Sequence, residues 1–174
     1  YIPDDVVSPI TALMVDGGRL ADGFERAEDP SLWAAQEFAR ALTEAGLEVI
    51  GRPEPVAVPA SATELAAVQS APLADIAEHV LDVSDNEAAE VLGHHVGLAT
   101  SGKGSFAAGA AGVEETLAGW GIDTSRLRLY DGSGLSRHNR VSPPALLAVL
   151  RRAAGDQGAE LRSVVTGLPV AAFT

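Results

Sequence analysis

The sequence predicts a mixed α/β fold in which helices outnumber strands. Apolar residues recur at helical spacing in several segments, most of which begin at a capping residue or proline and end at a glycine. Short apolar runs beside glycine-containing turns indicate a few strands between the helices. Hydrophobic residues make up 47% and charged residues 21% of the 174 residues, which is enough apolar mass for a core.

The amino-terminal part of the chain predicts a strand, a helix and a second strand. The helix begins at Asp29-Pro30, where a capping carboxylate precedes proline at the first helical position, and it ends at Gly46. Prolines then favour an extended connection. The predicted bounds are a strand at 10–15, a helix at 31–45, a strand at 47–50 and the connection at 51–61.

The carboxyl-terminal part predicts closely spaced helices. Ser84-Asp85-Asn86 separates the first two, because these residue types cap helices more often than they continue them. A strand follows the third helix and leads into a glycine-rich turn. The predicted bounds are helices at 72–83, 86–98 and 105–121, a strand at 126–130 and a helix at 142–155.

The composition excludes several classes of partner. The chain has 12 basic and 24 acidic residues and a net charge of -12, so nucleic-acid phosphates and anionic lipid surfaces would repel it. No apolar run reaches the roughly eighteen residues that a membrane-spanning helix needs. The chain has no cysteine, which excludes disulfides, thiolate nucleophiles and cysteine-based zinc sites. No cofactor and no metal are predicted.

Two patterns have the spacing of a site but lack its context. Residues 97–103 match a phosphate-binding loop up to Lys103, but Gly104 follows where a hydroxyl should hold magnesium, and a helix precedes the segment instead of a strand. A solvated loop between helices is the better interpretation.

His94 and His95 are adjacent, so on a helix their rings point about 100° apart. We interpret them as surface or core-edge histidines.

Ser84-Asp85-Asn86 is a stronger candidate for a site. At a junction between helices, the Ser84 hydroxyl could relay a proton, and the Asn86 carboxamide could both donate and accept hydrogen bonds with a peptide-like substrate. Helix capping is the competing interpretation of the same residues.

A second candidate is the segment 131–143, which directly follows a predicted strand. Gly132 and Gly134 would permit positive φ and a close approach of the backbone to a ligand. Arg137 or Arg140 could bind a carboxylate. The competing interpretation is an ordinary connection from a strand to a capped helix.

Together these segments resemble the class C low-molecular-mass penicillin-binding proteins, the serine D-alanyl-D-alanine carboxypeptidases and endopeptidases of bacterial cell walls. The specific part is Asp-Gly-Ser-Gly-Leu-Ser at 131–136, placed after Ser-Asp-Asn at 84–86. Other segments that are similar to the family occur in the same order, at 15–19, 70–73, 84–92, 109–121, 139–143 and 168–171.

The resemblance implies an active site with three motifs around one cleft: Ser-x-x-Lys, Ser-x-Asn and Lys-Thr-Gly. In the family, the first serine attacks the carbonyl of the penultimate D-Ala, and water later resolves the acyl-enzyme. Ser84 and Asn86 would take the middle role, in the proton relay and in holding the substrate amide. Ser133, Leu135 and Arg137 are implied as substrate-binding residues near the side-chain pocket.

The chain departs from the family in its lysines. Lys103 is the only lysine, with Thr100 three residues before it and Gly104-Ser105 after it, so neither lysine-bearing motif is present. We therefore interpret the chain as an internal fragment of a longer enzyme; the alternative is a polypeptide that cannot acylate by itself.

The implied fold is part of a penicillin-binding transpeptidase-like (β-lactamase-like) domain, mostly its helical portion with a few strands. Residues 1–60 are the expected edge of an inserted-domain junction, and 61–174 the helical part with the Ser-x-Asn motif. The isolated chain is expected to expose apolar surface or to need partner segments.

The favoured function is an exported, extracytoplasmic serine carboxypeptidase of the cell envelope that acts on peptidoglycan stem peptides and is acylated by β-lactams. Its other partners would be the remaining segments of the same protein. One alternative is a non-catalytic wall-binding module without a nucleophile, and another is an unrelated α/β domain in which Ser84 belongs only to a cap. A β-lactamase would share the triplet, but the glycine-serine segment favours the peptidase.

Overall fold

The computed structural model of the chain describes residues 6–20, 23 and 25–170. These residues form two compact units that divide between Ser70 and Ala71. The described elements, in chain order, are a 3-10 turn at Asp16–Gly18, α1 at Pro30–Glu44, α2 at Leu73–Val83, α3 at Asn86–Ser101, α4 at Phe106–Gly119, α5 at Pro143–Ala154, a 3-10 segment at Asp156–Leu161 and α6 at Arg162–Thr166. Ala171, the last residue of one family-like segment, lies outside the described residues.

All the predicted helices are confirmed, and side-chain caps explain most of their starts. A cap accepts the N–H of a residue in the first turn, which has no partner inside the helix. α3 continues to Ser101, beyond its predicted end at 98. α6 was not predicted, because so short a segment has no readable period. The caps are Asp29 to Leu32 N–H (3.0 Å), Asp85 to Ala88 N–H (3.0 Å), Ser105 to Ala108 N–H (3.2 Å) and Ser142 to Ala145 N–H (3.3 Å).

The predicted strands are wrong for the described residues. Residues 10–15 and 47–50 lie in no ladder, and 126–130 contributes one antiparallel bridge, between Arg128 and Arg140. The bridge consists of two backbone hydrogen bonds of 2.9 and 2.8 Å. An extended segment becomes a strand only when a second backbone pairs with its N–H and C=O groups over several residues. Among the described residues, no such backbone lies beside these segments.

In the first unit, the buried residues lie in α1 and in the segments before it. Pro30 and Ala34 of α1 are buried, and Val7 and Ala27 are buried in the same unit. After α1, residues 47–70 contain no helix or strand. Their large apolar side chains are exposed, so the expected exposure of apolar surface is confirmed; the exposed fractions reach 97% at Leu65 and 98% at Val68.

In the second unit, glycines allow α3 and α4 to pack closely. A Cβ atom on Gly109 would lie 2.3 Å from the Gly93 carbonyl oxygen, and one on Gly112 would lie 2.5 Å from Thr100 Oγ1. Both distances are far shorter than van der Waals contact, so only residues without a side chain fit there. This packing gives α3, which begins at Asn86, a rigid support.

None of the helices in the described part of the chain has the length and apolar character needed to cross a bilayer.

Candidate active site

Ser84, Asp85 and Asn86 form the junction between α2 and α3. Ser84 ends α2 with a left-handed backbone (φ 57°, ψ 50°), which costs a residue other than glycine about 1–2 kcal/mol. Asp85 caps α3 through the Ala88 N–H, and Asn86 is the first residue of α3. The capping interpretation is therefore correct for Asp85. Among the described residues, the fold uses neither the Ser84 hydroxyl nor the Asn86 carboxamide in a hydrogen bond.

A cleft of about 420 Å³ opens beside this junction. Ser84 and Asn86 line it together with Gly132 and Ser133, and the rest of its lining is mostly apolar and comes from α2, α3 and α4. A largely apolar cleft with a few convergent polar groups is typical of a binding site for a small ligand. The structure thus brings three of the candidate residues together, and their roles stay predictions.

The loop at 131–136 is shaped from within by the buried Asp131. Its carboxylate accepts hydrogen bonds from the Gly134 N–H (3.0 Å), the Ser136 N–H (2.6 Å) and the Asn139 carboxamide (2.7 Å). Such bonds from backbone N–H groups to a nearby aspartate stabilise a turn. The Asn139 amide oxygen in turn accepts the Tyr130 N–H (2.8 Å), so both ends of the loop are tied together.

Glu90 connects this loop to α3. Its carboxylate, on a residue that is 0% exposed, accepts the Gly132 N–H (2.7 Å), the Ser133 N–H (3.1 Å) and the Ser133 hydroxyl (2.5 Å). Glu90 lies one helical turn after Asn86, so the two side chains share a face of α3. Sequence reasoning missed Glu90; its position one turn after Asn86 is the signal that could have found it.

The two glycines of the loop have different roles. Gly134 has φ +85°, as predicted. Positive φ was permitted at Gly132 as well, but Gly132 does not adopt it. A Cβ atom on Gly132 would lie 2.5 Å from the Ala89 carbonyl oxygen, so this glycine is needed because the loop approaches α3. The predicted close approach is to the protein's own helix.

Leu135 lies near the end of the 131–136 loop, and Arg137 directly follows it. Both are exposed, and neither is among the described residues that line the cleft. The Arg140 guanidinium donates to the carbonyl oxygens of Arg137 (2.8 Å) and Asn139 (2.7 Å), so its own loop holds it. Of the two arginines considered for binding a carboxylate, Arg137 is the better placed, and its role stays a prediction.

The weaker sequence patterns are ordinary structure. Residues 97–103 are the end of α3 and the start of a loop, with Gly102 in the left-handed region (φ 71°), so the interpretation as a connection between helices is confirmed. His94 packs edge-on against Phe106 with the ring centres 4.7 Å apart, and His95 is exposed. No group of three His, Cys, Asp or Glu side chains within the described ranges is arranged to hold a metal.

Comparison with known proteins gives a consistent result. Residues 11–173 match the D-Ala-D-Ala carboxypeptidase 3 (S13) family. The chain is 37% identical over 171 residues to a carboxypeptidase of Mycobacterium tuberculosis, covering 95% of this chain and 36% of that protein. It is 36% identical over 173 residues to a D-alanyl-D-alanine carboxypeptidase of an Actinomadura species, covering 98% of this chain and 30% of that protein.

A solved structure extends the likeness to the fold. Penicillin binding protein 4 from Haemophilus influenzae, determined in complex with a β-lactam, matches with a TM-score of 0.73 and 32% identity. The match covers 83% of this chain and 33% of that one, so the chain spans about a third of the length of its relatives. The predicted fold class, a helix-rich part of a penicillin-binding domain, is thereby confirmed.

Proposed function

The chain belongs to the D-Ala-D-Ala carboxypeptidase 3 (S13) family, and we propose that it forms the Ser-x-Asn part of the active site of a serine-type D-Ala-D-Ala carboxypeptidase. The protein would hydrolyse peptidoglycan stem peptides through an acyl-enzyme, would be acylated by β-lactams and would act outside the cytoplasm, in the cell envelope. Lys103 is the only lysine of this chain. The Ser-x-x-Lys nucleophile and the Lys-Thr-Gly motif would therefore come from other segments of a longer protein.

The observation that supports this proposal is the shared cleft. The Ser84 hydroxyl and the Asn86 carboxamide lie on the two sides of one helix cap and line the same space. Because Asp85 does the capping, both groups can be used for a ligand. Hydrogen bonds in such a largely apolar cleft are stronger than in water, which suits the recognition of a peptide amide.

In the proposed reaction, the nucleophilic serine forms a C–O bond with the carbonyl carbon of the penultimate D-Ala and gives its proton to a neighbouring base. The C–N bond to the terminal D-Ala breaks as the leaving nitrogen gains a proton. Ser84 would relay that proton, accepting one from the base and passing its own to the nitrogen. Water then hydrolyses the ester and releases the shortened peptide.

The other predicted residues would bind substrate. The Asn86 carboxamide would hydrogen-bond the substrate amide, and Ser133 lines the same cleft. Leu135 and Arg137 would contact the stem-peptide side chain, with Arg137 facing a carboxylate on it. The exposure of both residues is compatible with that contact.

The test is covalent labelling of the protein that carries this chain with a fluorescent penicillin. The parent protein should give a stable labelled band. Ser84→Ala should lower the rate of acylation by about a hundredfold or more, the usual effect of losing a positioned proton-transfer group. Ser105→Ala is the matched control, because Ser105 caps α4 and does not line the cleft.

Ser105→Ala should cost about 1 kcal/mol of stability and leave acylation unchanged. A parent protein that takes up no label would sink the proposal; if it still bound a stem peptide, it would be a wall-binding module. If the Ser84→Ala protein lost stability but kept its acylation rate, Ser84 would have a structural role only.

A further inference from the structure

We propose that Glu90 is a positioning residue of this site: it fixes the 131–136 loop against α3 and so sets the width of the cleft between Asn86 and Ser133. The inference rests on the proposed function for its effect on substrate. Its structural basis is the set of hydrogen bonds that Glu90 accepts from Gly132 and Ser133.

The geometry makes Glu90 a directional tie between helix and loop. Both carboxylate oxygens are used: Oε2 accepts the Gly132 N–H, and Oε1 accepts the Ser133 N–H and hydroxyl. Three donors on two consecutive residues define both the distance and the orientation of the loop. The loop backbone is close enough to α3 that a Cβ atom on Gly132 would lie 2.5 Å from the Ala89 carbonyl oxygen, so there is little room for it to move nearer. Close contact with α3 limits movement of the loop towards the helix, and the hydrogen bonds to Glu90 limit its movement away from the helix.

A buried carboxylate is a costly way to fill space. Removing it from water is strongly unfavourable unless hydrogen bonds replace its hydration, whereas an apolar side chain would pack at no such cost. Glu90 is 0% exposed, so the compensation must come from the protein, and Gly132 and Ser133 provide part of it. This cost is expected where the location of a loop matters more than the stability it adds.

The carboxylates of Asp131 and Glu90 have different roles in this loop. Asp131 binds Gly134, Ser136 and Asn139, all within the loop or just after it, so it determines the loop's shape. Glu90 determines where that shape sits on α3. Loss of Glu90 should therefore displace an otherwise intact loop.

The displacement should affect substrate binding more than the chemical step. Ser84 and Asn86 are fixed by the helix junction and do not depend on the loop. Ser133 and the residues after it would move away from their binding positions. Because a displacement of about 1 Å can cost up to a hundredfold, KM for a stem peptide should rise while kcat changes little.

The first variant is Glu90→Gln, in which one oxygen becomes an NH₂ group that cannot accept the loop's N–H groups. For a peptide ending in D-Ala-D-Ala, we expect KM to rise about tenfold or more and kcat to change less than about threefold. The exchange of the Gly132 and Ser133 amide hydrogens should accelerate about tenfold or more. The amides of α4 should exchange as in the parent protein.

Glu114→Gln is the matched control. Glu114 is a half-buried glutamate of α4 that accepts the backbone N–H of Leu129 (3.1 Å), outside the cleft. Like Glu90→Gln, this substitution replaces a carboxylate by an amide and weakens a hydrogen bond between a helix and a loop backbone. It should leave KM and the exchange of the Gly132 and Ser133 amides unchanged. If Glu90→Gln acted only by lowering the overall stability of the protein, Glu114→Gln would change both quantities as well.

Ser133→Ala decides the question if Glu90→Gln does not fold, because it removes the hydroxyl bond to Glu90 and keeps both backbone N–H bonds. The same hydroxyl accepts the Leu135 N–H (3.3 Å), so exchange is read at Gly132 and not at Leu135. It should accelerate exchange at Gly132 by a smaller factor than Glu90→Gln would. The proposal is overturned if the folded variants keep the KM of the parent protein and its exchange rate at Gly132. It is also overturned if amide exchange in α4 accelerates as much as exchange at Gly132. If the parent protein is neither acylated nor active, the proposed function fails, and amide exchange alone still judges whether Glu90 holds the loop.

Discussion

Residues 47–70 and residues 86–134 are both rich in apolar side chains, but their surroundings are opposite. In the first region, Leu65 and Val68 are almost fully exposed and no regular element forms. In the second, two long helices pack through glycines, and buried carboxylates hold a loop. Each region is described within its own compact unit.

The difference shows that hydrophobicity alone does not bury a segment. Apolar side chains leave water only where a complementary face is available. α3 and α4 provide that face for each other because Gly93 and Gly109 let the backbones meet. The prolines at 53, 55 and 59 disfavour a helix in the first half of the first region, and residues 60–70 form none. No strand among the described residues pairs with this region.

The largest expected effect comes from breaking the helix contact with Gly109→Ala. The new Cβ would lie 2.3 Å from the carbonyl oxygen and 2.8 Å from the carbonyl carbon of Gly93, and backbone atoms cannot rotate away. We expect a loss of about 3 kcal/mol in the opening free energy of α3 and α4, measured by amide hydrogen exchange.

Gly119→Ala in the same helix is the control, because apart from its chain neighbours and the backbone of its own helix no atom lies within 4 Å of its Cβ position. It should be neutral or stabilising by up to about 1 kcal/mol. Equal losses in the two variants would mean that close packing does not distinguish the second region.

A smaller, local effect is expected from Asp131→Asn. The amide group can no longer accept all the hydrogen bonds that reach Asp131 from Gly134, Ser136 and Asn139. The loop should lose about 2 kcal/mol of local stability, the usual cost of leaving buried polar groups unsatisfied. Faster amide exchange at Gly134 and Ser136, with α4 unchanged, is the measurement.

Asp123→Asn is the matched control for that experiment. Asp123 also accepts a backbone N–H, from Ser125, but on the surface. Hydrogen bonds from Ser125 lower the pKa of Asp123, and water can replace them. Exchange in the 131–136 loop should not change in this variant; if it changes as much as in Asp131→Asn, the loop is not held by its own aspartate.

The smallest effect is expected in the exposed region. Val68→Ser and Leu65→Ser remove apolar groups that are already in water, so the change in unfolding free energy should stay within about 0.5 kcal/mol. Denaturant unfolding of the protein that carries this chain measures it. A loss above about 1.5 kcal/mol, as for a buried side chain, would show that this region is covered in that protein and would remove the contrast between the two regions.

The local elements were largely predictable from the sequence. Helix starts at Asp29, Ser105 and Ser142 follow from side chains that satisfy N–H groups a few residues away, so a short window contains the cause. The strand predictions at 10–15 and 47–50 failed because a strand depends on a second backbone that the same window does not contain.

The candidate site divides in a similar way. Ser84 and Asn86 were found from their residue types, their position at a helix junction and the family resemblance. That Asp85 does the capping depends on backbone geometry, and the triplet alone does not reveal it. Glu90 was missed because its partners, Gly132 and Ser133, lie far along the chain.

By itself, the sequence determined the helices and the family, since caps and motifs are properties of neighbouring residues. Only the tertiary structure decided that Ser84 and Asn86 share a cleft with Ser133, and that the Glu90 carboxylate accepts hydrogen bonds from the 131–136 loop. The physical reason is range. A cap acts over one helical turn, whereas a buried carboxylate is stabilised only when folding brings its distant donors to it.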